Sequence, residues 1–304
     1  MKRFFTLIFL GVNLVQVQAA AEISPYLQQK ILEAMSGNQP VPAVIMLKEQ
    51  ADIQALDEQL YREKASPEKR AYTVITSLQE MASKTQTPLL NYLAAQSSNE
   101  VVQYEAFWIV NMIVVKAIPA VLFAISQRED VGLLDYDYET APIKAVNERP
   151  APEMNPNGAE PGLKLINADK LWQLGLTGAG TIVMTRDTGV DGNHPALGWR
   201  WRGNHVPWNQ AWQGSGTFPQ DSDSHGTHTM GTITGLDPAT HDTIGVAPGA
   251  EWIASQNIYS VSQSFQWAMN PDGNASTTDD MPCVISNSWG FLNSTGLCWI
   301  AQYG

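Results

Sequence analysis

Gly178-Ala179-Gly180 leads into Thr181-Ile182-Val183-Met184-Thr185, a β-branched run that stops at Asp187-Thr188-Gly189. A run of that composition between glycine turns reads as a strand. Working outward, Ile166 to Leu174 is a short amphipathic piece ended by Gly175. Downstream the pattern predicts a helix from about Gly226 to Thr234, a strand near Glu251 to Ile258, a helix near Ser262 to Met269 and a strand Val284 to Ser286. Strands alternating with helices imply an α/β unit with a parallel sheet covered on both faces. Ligands in such sheets sit at the carboxyl ends of the strands, where Asp187 and Asn287-Ser288 fall.

The remainder of the chain has a different texture. Of its ten tryptophans only Trp108 precedes the proline-rich stretch 142–161, which cannot sustain a helix or a central strand and reads as a linker. In the block from 22 to 141, Val41 to Leu47 is a strand candidate, and Ala71, Val74, Ile75, Leu78 and Ala82 recur at the spacing of a buried helix face. Tyr104 to Val110 and Met112 to Val115 follow as strands with Asn111 as turn or bulge, then a helix starting near Pro119 and a strand from Val131 to Tyr138. The order is βαββαβ, a small α+β ferredoxin-like arrangement. With 304 residues there is room for about two domains. A hydrophobic share of 44% and a charged share of 16% mark a folded chain. The net charge of -12, with no Lys/Arg cluster, argues against nucleic acid as a partner.

Lys2-Arg3, the apolar run Phe4 to Val12 and the small residues Ala19 to Ala21 have the order of a secretory signal peptide, with an uncleaved anchor as the alternative. The run breaks at Asn13 and Gln16, short of a membrane span, and no later segment is long and apolar enough to cross a bilayer. This predicts a secreted or periplasmic protein, free of the membrane once residues 1–21 are removed. Export places Cys283 and Cys298 in an oxidising environment, which favours a bridge between them over a metal or redox role.

Two stretches carry the chemistry: Asp187-Thr188-Gly189-Val190-Asp191-Gly192-Asn193-His194-Pro195-Ala196-Leu197 and Ser224-His225-Gly226-Thr227-His228-Thr229-Met230-Gly231-Thr232. Alone, Asp-Thr-Gly is a strand-to-turn signal. His225 and His228 have the spacing of a zinc pair, but no third ligand set or adjacent glutamate completes a hydrolytic site, and no metal is assigned. Together, and with Ile244 to Ala250 and Asn287-Ser288-Trp289-Gly290, the two stretches resemble the subtilisin-like serine proteases, the subtilases, in their bacillopeptidase F-like branch. The resemblance implies a subtilisin-like sheet preceded by a propeptide, with Asp187 as triad acid and His225 as general base. Physical chemistry agrees: a buried carboxylate accepting the Nδ1 proton holds the imidazole neutral and in one tautomer, and Gly226 leaves room beside the ring. Ser288, Trp289 and Gly290 match the family's edge segment, which pairs with a polypeptide substrate as an added strand. No cofactor is required, and the propeptide is implied to be an intramolecular inhibitor.

Three departures are visible. The family's Gly-Thr-Ser-Met-Ala nucleophile stretch and its oxyanion asparagine are not among the 79 residues after His225. The expectation is therefore the N-terminal part of a peptidase precursor, inactive as it stands. The competing expectation is a non-catalytic remnant whose first block is a protease inhibitor or folding assistant. Arg186 stands before the acid where relatives often carry an aliphatic residue, its side chain expected to point away from that of Asp187. Ala196 stands where many relatives carry a calcium-binding aspartate, so that calcium site is not carried over. Trp199, Trp201, Trp208 and Trp212 read as packing and surface loop.

Overall fold

Secondary structure follows the apolar runs closely. The structure is a computed structural model that describes residues 21–142, 158–256 and 260–291. The first unit runs β1 (Glu22–Ile23), α1 (Pro25–Met35), β2 (Val41–Leu47), α2 (Ile53–Arg62), α3 (Pro67–Ala94), β3 (Val101–Phe107), β4 (Met112–Ala117), α4 (Pro119–Ser126), β5 (Val131–Tyr136) and β6 (Thr140–Pro142). Five strands form a sheet in the order β1-β5-β2-β4-β3. Strand β2 is at its centre, so both of its faces are covered. Ala43, Ile45 and Leu47 join the core under the helices with Leu27, Leu89, Ile113, Leu122 and Leu134. Val44 and Met46 pack on the other face with Phe107 and Met112. Helix starts are fixed by Ser24, Asp52 and Ser66, whose side chains accept from the amides of Leu27, Ala55 and Lys69.

Several sequence expectations shift. Strand β3 begins at Val101 rather than Tyr104, and Trp108 to Asn111 form a turn. That turn is pinned by the Gln86 amide, which donates to the Phe107 carbonyl at 2.8 Å and to Asn111 Oδ1 at 2.9 Å. The stretch expected to be a linker contributes Pro142 to β6 at one end and β7 (Gly158–Ala159) and the start of α5 (Pro161–Leu165) at the other. Both strands are short edge pieces, where proline is tolerated. Residues 143–157 lie outside the described residues, as do 1–20 with most of the expected signal peptide.

Just before β6, burial pushes the Asp137 carboxyl from an ordinary 3.8 up to about 6, with Glu139 adding to the effect. A carboxyl with a raised folded-state pKa binds its proton more tightly folded than unfolded. Its contribution is favourable below pH 4 and is lost as pH rises through about 6. The first unit is expected to gain on the order of 1–3 kcal/mol from this group between pH 7 and pH 4. Urea midpoints of parent and Asp137→Asn across that range check it; equal pH slopes count against it.

The second unit continues with α6 (Ala168–Gln173), β8 (Ile182–Asp187), β9 (Trp212–Gln213), α7 (His225–Thr234), β10 (Leu236–Asp237), β11 (Asp242–Thr243), β12 (Glu251–Gln256), α8 (Val261–Ala268), β13 (Val284–Ser286) and β14 (Trp289–Phe291). The amphipathic piece expected over 166–174 is a helix only from Ala168 to Gln173, because Asn167 at its N-cap adopts a left-handed conformation with φ 61°. The main sheet has the order β13-β8-β12-β9, every pair parallel. Strand β8 is buried at all six positions, as a central parallel strand requires. The chain passes from β8 to the edge strand β9, returns through α7 to β12 between them, and then crosses through α8 over β8 to β13. The reversal makes the carboxyl end of β8 the topological switch point.

Candidate active site

Asp187 is the last residue of β8 and His225 the first of α7, so the crossover that buries the sheet also brings the two together. His225 Nδ1 lies 2.6 Å from Asp187 Oδ1. Asp187 is only 2% exposed. The same Oδ1 accepts from the Thr188 amide at 2.7 Å, and Oδ2 accepts from Thr229 Oγ1 at 3.2 Å. An ionised carboxylate only accepts, so Nδ1 of the neutral ring carries the proton and Nε2 the lone pair.

Gly226 stands at a close approach of α7 to the chain leaving β8. A Cβ there would lie 2.0 Å from the Gly189 carbonyl oxygen and 3.0 Å from Asp187 Cβ. The missing side chain therefore makes room for the turn that follows β8 and for the root of the Asp187 side chain. Gly189, with φ 119°, faces the Gln220 carbonyl just as closely.

The expected edge segment is split by the structure. Trp289 and Gly290 belong to β14, whereas Ser288 precedes it. Strand β14 pairs antiparallel with β6 of the first unit, Trp289 opposite Pro142, Gly290 opposite Ala141 and Phe291 opposite Thr140. The contact between units extends to α8, where Gln266 Oε1 accepts the amides of Trp108 at 2.7 Å and Ile109 at 3.3 Å. Gln263 donates to the Glu105 carboxylate alongside. Arg186 is buried, with its guanidinium 4.8 Å from the Trp289 ring centre. Burial lowers its pKa to about 10, against the pull of Asp187, so it stays charged at neutral pH.

The remaining candidates are placed as follows. His228 is exposed on α7, and among the described residues no group of three or more His, Cys, Asp or Glu is arranged to hold a metal. Ala196 is buried and its carbonyl accepts the Leu236 amide at 3.1 Å. Cys283 is exposed, and Cys298 lies outside the described residues. Trp201 and Trp212 are buried, while Trp199 and Trp208 face solvent. The sequence pattern singled out neither Asp221 nor the Thr188 and Thr227 hydroxyls, each of which donates to the Asp221 carboxylate. Asp221 sits in a polar loop whose texture carries no sign of this.

A buried carboxylate holding a histidine at the switch point of a parallel sheet, beside an edge strand that accepts another, is the arrangement of a subtilisin-like peptidase. The profile of the Subtilase family, Peptidase_S8, matches residues 178–300, and this part of the chain is a subtilase domain homologous to bacillopeptidase F and the subtilisins. Bacillopeptidase F of Bacillus subtilis (strain 168) is 31% identical over 262 residues, which cover 78% of this chain and 18% of that protein. An alkaline protease of Alkalihalobacillus alcalophilus is 31% identical over 174 residues, 48% of this chain and 43% of the relative. Subtilisin E of Bacillus subtilis (strain 168) is 37% identical over 111 residues, 36% of this chain and 27% of the relative. The chain thus spans less than half the length of each. Among solved structures, fervidolysin from Fervidobacterium pennivorans aligns with a TM-score of 0.42 at 17% identity, covering 84% of this chain and 37% of that one.

Proposed function

We propose that the chain is the N-terminal part of a secreted serine endopeptidase precursor. The observation that carries this reading is the buried Asp187–His225 pair, 2.6 Å apart at the carboxyl end of β8. In the proposed reaction His225 Nε2 takes the proton of a serine hydroxyl as that oxygen attacks a peptide carbonyl, and later returns it to the leaving amine. Asp187 stays ionised and stabilises the imidazolium. The Gly-Thr-Ser-Met-Ala stretch that supplies the serine in this family is not among the 79 residues after His225. Trp289 and Gly290 would receive the substrate backbone as an added strand.

The first unit then acts as an intramolecular inhibitor, with Thr140 to Pro142 occupying the strand position a substrate would take. The pairing of β6 with β14 supports this, as do the amide contacts of Gln266. The order of residues 1–21 supports secretion. No helix among the described residues is long and apolar enough to cross a membrane.

The test is to express the chain joined to its downstream coding sequence and to follow peptide hydrolysis. Activity is expected once the first unit is cut away, and His225→Ala should remove it by several orders of magnitude, because a triad acts as a unit. A native stop codon after residue 304, or hydrolysis that survives His225→Ala, would overturn the reading. Added in trans, residues 22–141 should inhibit the processed enzyme, and Gln266→Ala should weaken that inhibition about tenfold by leaving two amides without their acceptor.

A further inference from the structure

Helix α7 starts without a cap of its own. Ser224, at the N-cap position, has φ 67° and its side chain makes no capping bond. The first-turn amides are satisfied from elsewhere. Gly226 N–H donates to Thr188 Oγ1 at 2.9 Å, and Thr227 N–H donates to Asp221 Oδ2 at 2.8 Å. Thr188 Oγ1 in turn donates to Asp221 Oδ1 at 2.7 Å. Thr227 Oγ1 donates to Asp221 Oδ2 at 2.5 Å and accepts the Asp191 amide at 3.0 Å. The Asp223 amide, at 3.0 Å from Oδ1, completes the set around the carboxylate.

We propose that Asp221 is a positioning residue for the acid–base pair: it ties Thr188, the residue after the acid, to the first turn of the helix that begins with the base. The hydrogen bonds that cap α7 are the same bonds that set the spacing between Asp187 and His225. Capping by a local serine would hold the helix equally well but would leave its start free to slide along β8. A brace from β8's own exit removes that freedom. Burial opposes ionisation of Asp221, yet the hydrogen bonds from Thr227 and Thr188 and from the Asp223 and Thr227 amides hold its carboxyl below the ordinary aspartate value. It is therefore an anion with its acceptor positions filled, suited to bracing and not to proton transfer.

The role rests on the acid–base reading of Asp187 and His225, and the test keeps the two separable. In the full chain, the His225 imidazole is titrated by NMR and its hydrogen-bonded Nδ1 proton is monitored. The anionic groups of β8 and of the loop before α7 are Asp187, Asp221 and Asp223, so each variant changes one contribution. Asp221→Asn places an amide NH2 against hydroxyl and amide donors. It is expected to lower the His225 pKa by about one unit and to weaken the Nδ1 signal, as the carboxylate contact lengthens. Thr188→Val keeps the Asp221 charge but removes the bridging hydroxyl and is expected to shift His225 similarly, while Thr188→Ser restores the parent titration. A shift in Asp221→Asn without one in Thr188→Val is a through-space charge effect and overturns the positioning role. If Asp221→Asn does not fold by circular dichroism, the Thr188 pair decides. Asp187→Asn must shift His225 in any case; if it does not, the acid–base reading itself fails, whatever Asp221 does.

Discussion

Gly226→Ala is expected to disconnect His225 from Asp187. The added methyl would sit 2.0 Å from the Gly189 carbonyl oxygen and 3.0 Å from Asp187 Cβ. Both obstacles belong to the backbone or the root of a buried side chain, so neither swings aside. Helix α7 must lift from β8 by about 1 Å, a displacement that costs a catalytic site about 100-fold in rate. Overpacking adds about 1–3 kcal/mol of destabilisation. The Nδ1 proton signal of His225 should disappear in the full chain, and in the extended protein hydrolysis should fall at least 100-fold, the loss expected for that displacement. A Gly226→Ala chain with the parent His225 titration would show that α7 has slack the packing does not reveal. Gly226→Ser should behave like the alanine variant, since its Cβ meets the same atoms.

The sequence and structure agree where one local signal dominates. Strands β2 and β13 span the residues the apolar runs predicted, because both runs are short and bounded. Asp187 and His225, singled out by two motifs 38 positions apart, lie 2.6 Å from each other because strand and helix follow one another through the crossover. Disagreement arises where tertiary contacts decide. Trp108, Ile109 and Val110 look like strand, yet Gln86 and Gln266 claim their backbone neighbourhood and turn it. Val102 is half exposed on the edge strand β3, so its apolar character gave no register. Helix α1 escaped the periodicity because Leu32 and Met35 face solvent. Asp221 was invisible for a deeper reason. Its partners lie 6 and 33 positions away, and a polar residue in a polar loop has no pattern against which to stand out.

Trp252→Ala is expected to unfold the second unit at ambient temperature. Trp252 is fully buried in β12, with its ring 6.4 Å from that of Trp201 and its Nε1–H donating to the Leu197 carbonyl at 2.9 Å. Truncating a buried tryptophan costs about 3–5 kcal/mol. Leaving the Leu197 carbonyl without its donor adds about 1–3 kcal/mol. Against a stability near the lower end of the usual range of about 5–15 kcal/mol for a domain, a combined loss of about 4–8 kcal/mol removes most or all of the margin. The loss reaches the site directly, since β12 pairs with β8 from Glu251 opposite Ile182 to Gln256 opposite Asp187. Trp252→Phe retains most of the ring volume and should cost about 1–3 kcal/mol, mainly the lost hydrogen bond. Trp199→Ala, at a side chain 49% exposed, should stay within about 1 kcal/mol. Urea unfolding followed by far-UV circular dichroism, with amide exchange along β8 as the local probe, orders the three variants. If Trp252→Ala melts with the Trp199 variant, the core is held elsewhere and β8 does not depend on β12 for its position.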